Sequence, residues 1–251
     1  MKRFFTLFGR EVAHVFYQPL AYVVMFFFLL LTSVNFQSGV TALNREATMT
    51  TLLEVFFNSV LFWFPFLLAF PLLTMRTFSE EYKLGTIETL MTAPVRDGEV
   101  VLAKFAGAFV FYIVLWIPTM LYFVGFQWIS GKPAFESAGS FWGAYLMLVL
   151  AGAFYLSLGC LASALTKNQV VAAFASFAFV SLMFFLSLLS FIFLSASPVL
   201  RQVTYYFSTI EHMADFSRGI FDTRPIVFYV SMTLFVLFLT YHAFQHRRWR
   251  A

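Results

Sequence analysis

A chain of 251 residues that is 61% hydrophobic and only 11% charged cannot cover a soluble surface, since soluble domains carry about 25% charged residues. Its natural solvent is lipid. The formal charge of +4 is scattered among the ends of apolar runs, which excludes the dense basic face of a nucleic-acid binder, and the single cysteine, Cys160, excludes a disulfide framework or a multi-thiolate metal site.

Residues 3–18 place Phe5, Phe8, Val12, Val15 and Phe16 near one helical face, with Arg3, Arg10, Glu11, His14 and Gln18 elsewhere. That pattern predicts an amphipathic interfacial helix over 1–19, leading through Pro19 into the first span. A signal peptide is not expected, because Arg10, Glu11 and His14 interrupt any apolar core and no small-residue cleavage site follows.

A bilayer core takes roughly 20 apolar residues per helix. Six such runs follow, at approximately 20–37, 52–74, 101–128, 141–165, 169–194 and 225–243. The expected fold is therefore all-α: a polytopic, six-helix transmembrane domain over 20–251. Glu54 opens the second run, where it either reaches water at the outer interface or needs a partner; a pathway role is the functional alternative.

Between the second and third runs lies FSEEYKLGTIETLMTAPVRDGE, residues 78–99. Ser79 can cap a helix whose first turn holds Glu80 and Glu81, and Gly85 offers a stop. Thr86 can cap a second helix with Ile87, Leu90 and Met91 on its apolar side, Glu88 opposite and Pro94 at its end. The expectation is a rigid knob of two short helices spanning 75–99.

Further along, only Thr166, Lys167 and Asn168 separate the fourth and fifth runs, which forces a tight antiparallel turn. Residues 196–224 are too polar to cross and too apolar to float, and predict re-entrant or interfacial helices. Within them Glu211, His212 and Asp215 could build a small site, or simply shape the loop through hydrogen bonds and ion pairs to Arg218. His242 and His246 share a helix face but have no carboxylate beside them, so no metal site is expected. Small-residue pairs four apart, Ala103 and Gly107, Gly159 and Ser163, and Ala172 and Ser176, predict close helix contacts, within one bundle or between two copies.

With a cytoplasmic N-terminus, eleven basic residues fall inside and five outside. The positive-inside rule then puts both termini in the cytoplasm. No P-loop exists: Gly125 to Lys132 has the wrong glycine spacing, and Pro133 stands where a Ser or Thr is needed.

The loop resembles the coupling region of ABC-2 type permeases, on Arg76, Ser79, Glu80, Glu81, Gly85, Thr86, Glu88, Leu90, Met91 and Pro94. The stretch around Glu211, His212, Phe216, Ser217, Arg218, Gly219, Ile220, Asp222 and Arg224 resembles the gliding-motility and nitrous-oxide-reductase-maturation branches of that family. Pro225 departs from those relatives, which tend to carry a charge there. The resemblance implies a type V exporter-like architecture in the bacterial inner membrane. It makes the ten loop residues the docking surface for a separate ABC ATPase, which alone would carry ATP and Mg. It also implies a second permease copy or related subunit. The segment holding Glu211, His212, Asp215, Arg218, Gly219 and Asp222 then becomes an outer gate or a contact for an extracytoplasmic partner.

The expected function is a non-catalytic permease subunit exporting a lipid-linked or amphipathic substrate, since the spans hold no ionisable midplane site of the kind an ion-coupled carrier needs. The alternative is a subunit that transmits force to an extracytoplasmic partner without moving cargo.

Overall fold

The computed structural model describes residues 2–45, 50–86, 96–192 and 198–248. Helices α1 (Lys2–Tyr17), α2 (Pro19–Arg45), α3 (Leu52–Asn58), α4 (Val60–Thr74), α5 (Ser79–Leu84) and α6 (Asp97–Ser130) make up the first half. Helices α7 (Ala138–Ala164), α8 (Gln169–Ile192), α9 (Pro198–Phe207), α10 (Thr209–Ser217) and α11 (Thr223–Arg248) follow, with no strand among the described residues. Among the described residues six segments are long and apolar enough to cross a bilayer: α2, α4 continuing into α5, α6, α7, α8 and α11. Helix α1 and the last turns of α11 meet at one end of the bundle, where Leu7 and Phe244 share an apolar cluster with Phe78 and Cys160.

Helix α7 is the axis, 72% buried over its most apolar window against 22% for α8 and 28% for α2 and α11. Small residues make this position attainable. A Cβ on Gly152 would lie 2.1 Å from the Tyr112 ring of α6, and one on Gly159 would lie 2.1 Å from Thr74 Oγ1 of α4. The outer helices turn Phe26, Phe27, Phe174, Phe185, Leu234 and Phe238 outward, as lipid-facing surfaces do.

The second span differs from the sequence expectation. The apolar run 52–74 is not one helix: it breaks at Ser59, whose extended backbone and side chain, accepting from the Leu61 amide at 3.2 Å, start α4 afresh. Helix α3 packs on α2 and α10, away from the end that holds Leu7 and Phe244, with Leu52, Leu53, Phe56 and Phe57 buried. Asn35 Nδ2 donates to the Phe56 carbonyl at 3.0 Å, and the Leu53 amide donates to Ala134 O at 3.0 Å. The first bond satisfies a carbonyl that a continuous helix would have paired internally, and the second satisfies a first-turn amide that no helix starting at Leu52 could pair. Hydropathy does not register the break, because α3 is as apolar as a span.

The small-residue pairs resolve into contacts within one chain. Gly107 packs on Glu11 of α1, Gly159 and Ser163 meet Thr74 and Met75, and Ser176 Oγ lies 3.4 Å from Thr74 Oγ1.

Candidate functional site

At the end of the bundle that holds Leu7 and Phe244, α4 runs through the turn Met75–Phe78 into α5. Ser79 is not the cap expected of it. Phe78 occupies that position without a side-chain bond, while Ser79 is the first helical residue, fully buried, its hydroxyl donating to Met75 O. The cap comes from another helix: Ser163 Oγ of α7 accepts from the Phe78 amide at 3.0 Å and the Ser79 amide at 3.1 Å, and donates to Met75 O at 3.2 Å. One hydroxyl thus meets three backbone groups of the α4–α5 turn. Phe78 and Tyr82 bury their rings beside Val100, Val101 and Ala164. The first half of the expected knob is therefore packed into the bundle.

A buried ionic cluster locks the same joint. Lys104, on the second turn of α6 and 3% exposed, reaches Glu81 of α5 at 2.8 Å and Glu11 of α1 at 3.3 Å. Arg10 reaches Glu11 at 3.0 Å and Glu81 at 3.7 Å. Two cations and two carboxylates neutralise one another, which is the condition under which charges stay buried. Phe78 adds a ring 5.6 Å from Lys104 Nζ. Gly107, one turn past Ala103, lets α1 come this close, since a Cβ there would lie 3.1 Å from Glu11 Cβ.

Of the ten expected docking residues, Arg76 and Glu80 are half-buried and line an inner cavity, Ser79 is sealed, and Glu81 is ion-paired. Gly85 and Thr86 are exposed, as are Lys83 and Leu84 beside them. Gly85 ends α5 with φ 72°, a left-handed geometry that a side chain disfavours. Glu88, Leu90, Met91 and Pro94 lie outside the described residues. Arg10, Glu11, Lys104 and Ser163 were not among the residues expected at this site, although Arg10 and Glu11 were read as the polar face of the first helix and Ser163 as a close helix contact. Lys104 did leave a signal: it is the one charge inside the apolar run 101–128, and a lysine there demands an acid.

At the opposite end, α9 and α10 pack with α3 over α7 and α8. Glu54 sits in the first turn of α3 and not at the start of a span, with its carboxylate 3.7 Å from Arg218. That pairing replaces the expected ion pairs between Arg218 and Glu211 or Asp215. Asp215 instead accepts from Tyr205 OH at 2.7 Å, and Asp222 accepts from the Arg224 amide at 2.9 Å. Glu211 is half-buried, and Gly219 carries the turn out of α10 at φ 81°.

His212 is 1% exposed and bonds through Nδ1 to Tyr229 OH at 3.2 Å. Tyr229 donates to Thr209 Oγ1 at 3.1 Å, which lies 2.8 Å from Tyr155 OH. Burial pulls the His212 imidazole down to about 4, against a smaller upward pull from Asp215 and Asp222. Burial, reinforced by the bond to Asp215, pushes the Tyr205 phenol up. Tyr155, Thr209, Tyr229 and His212 thus form a buried, uncharged hydrogen-bonded chain. No cluster of three or more metal-ligating side chains occurs among the described residues.

A family model described as ABC-2 family transporter protein matches residues 14–185, from the end of α1 through most of α8. The chain belongs to the ABC-2 transporter family. No curated protein matches it. The ABC-2 match covers Glu81 and Lys104 of the ionic joint, the α4–α5 turn and Ser163, whereas Arg10, Glu11, α9, α10 and α11 lie beyond it. Together with the six apolar helices, it makes the chain a multi-pass membrane protein of an ABC-2 transporter. The family implies an ABC ATPase as partner.

Proposed function

We propose that this chain is the permease subunit of an ATP-driven exporter in a bacterial inner membrane, with both termini cytoplasmic. Two copies, or this chain and a related subunit, pair with two ABC ATPase subunits. The segment 75–99 receives the motion of those ATPases, and the substrate is lipid-linked or amphipathic. The single observation that carries this reading is the joint itself: α5 is held to α7 by Ser163 and to α1 and α6 by the Arg10, Glu11, Glu81 and Lys104 cluster. A lever must be stiff where force enters, and an ion-paired cluster centred on the buried Lys104, with a capped turn beside it, provides that stiffness. The exposed corner Lys83–Thr86 then serves as the contact with the ATPase, while Arg76, Ser79, Glu80 and Glu81 support it from behind. The gliding-motility and nitrous-oxide-reductase-maturation branch is the finer family assignment, resting on the resemblance around Glu211–Asp222.

The test is reconstitution of the chain with its ATPase in vesicles. ATP-dependent movement of a lipid-linked or amphipathic substrate is expected. ATP hydrolysis stimulated by the chain with no vectorial movement of any such substrate would defeat the export reading.

A further inference from the structure

Between α1, α2, α4, α5 and α6 the bundle holds a cavity of about 630 Å³, a volume that suits a small organic ligand. Leu20, Ala21 and Val24 at the start of α2, with Leu72 and Leu73 at the end of α4, make it apolar on one side. Arg76, Glu80 and the ion-paired cluster make it polar on the other. Since one span begins and another ends here, the cavity lies at the depth where lipid headgroups meet acyl chains.

Two of its charges are spare. Arg10, Glu11, Glu81 and Lys104 pair among themselves, but Arg76 and Glu80 form no ion pair among the described residues. Arg76 Nε and Glu80 Oε2 are moreover buried without a hydrogen-bond partner, as is Glu81 Oε2 beside them. Such groups are costly to leave unmatched. Arg10, Arg76 and Lys104 balance Glu11, Glu80 and Glu81, so an anionic or a cationic ligand would leave one charge over. A ligand carrying both an anion and a cation leaves none.

We infer that this cavity binds one zwitterionic phospholipid with a primary ammonium. The phosphodiester meets the Arg76 guanidinium, the ammonium meets the Glu80 carboxylate, and an acyl chain lies along Val24, Leu72 and Leu73. The three N–H donors of a primary ammonium can bond to the carboxylate, which a quaternary ammonium lacks the donors to do. The bound lipid would wedge α1 against the α4–α5 turn. This inference concerns the chain alone and stands or falls separately from ATPase docking.

The full chain is exchanged in detergent into equimolar phosphatidylethanolamine, phosphatidylcholine and phosphatidylglycerol, and retained lipid is counted by native mass spectrometry. One phosphatidylethanolamine per chain is expected, favoured about tenfold over the other two, the scale of one charge-assisted hydrogen bond. Arg76→Gln should lower its retention about tenfold. Glu80→Gln should move the preference to phosphatidylglycerol, a gain that a folding failure does not produce. Equal retention of the three lipids, or a preference unmoved by either substitution, overturns the inference. So does displacement of the lipid by soluble glycerophosphoethanolamine at equal concentration, which would assign the site to a free phosphate ester.

Discussion

Lys104 is the residue on which the terminal end of the bundle turns. It is 3% exposed and holds two carboxylates from two other helices. Replacing it with methionine leaves Glu11 and Glu81 with only Arg10 between them, and removal of one partner from a buried ion cluster costs about 3 to 5 kcal/mol. Lys104→Met should therefore lower the thermal midpoint in detergent, and adding Glu11→Gln and Glu81→Gln should restore much of it, as followed by helical circular dichroism. A midpoint unchanged by Lys104→Met would show that the cluster does not hold the joint. His212 makes a second prediction at this scale. Its folded-state value of about 4 lies below the ordinary 6.5, so between those values the unfolded chain takes up a proton that the folded chain refuses. The His212 contribution to stability should be constant above pH 6.5 and fall by up to about 1.4 kcal/mol per unit as pH drops toward 4. The His212→Gln protein should lack that slope in melts run from pH 8 to 4. Both residues stand in plain view in the sequence, but their partners do not: 93 positions separate Lys104 from Glu11, and no local pattern joins them.

Among the elements, the α4–α5 turn and its cap on α7 decide how motion would pass. Ser163→Ala removes the acceptor of the Phe78 and Ser79 amides and should cost about 1 to 3 kcal/mol, seen as faster hydrogen exchange at Phe78–Tyr82 while α8 and α11 keep their protection. Gly85→Pro should act differently. Proline cannot adopt φ 72°, so the corner Lys83–Thr86 would be redirected, and the ATPase should fail to co-purify although the chain still inserts in the membrane. Normal co-purification would remove this corner from the docking surface. The amphipathic spacing of α1, the helix stop at Gly85 and the tight turn between α7 and α8 are all local signals, and the elements appear where those signals lie. Ser79 was legible as a cap by composition alone. It misled because a serine on another helix does the capping and leaves Ser79 to be buried. Ser59 was illegible for the converse reason: a serine inside an apolar run gives no sign that Asn35 waits to satisfy the Phe56 carbonyl it frees.

For the molecule as a whole, orientation is the prediction with the widest reach. A single cysteine placed at Lys83 in a Cys160→Ser background should be shielded from a membrane-impermeant maleimide in intact cells and label in inverted vesicles. Labelling in intact cells would reverse the topology and end the coupling assignment. The sequence by itself determined the solvent, the all-helical class, the number of crossings and the ABC-2 resemblance. The first three are written in composition and in periodicity along the chain, since the bilayer leaves the backbone no other choice than helices of fixed length, whereas the resemblance rests on the particular residues of 76–94 and 211–224. Only the tertiary structure decided that α7 is the axis, that the second apolar run folds in two pieces, and that the acidic turn is tied inward to Glu11, Lys104 and Ser163. Those outcomes depend on which helix faces which. In a chain so uniformly apolar, hydropathy marks where the helices are but hardly how they turn, so the few charges and hydroxyls choose their partners only when the bundle closes.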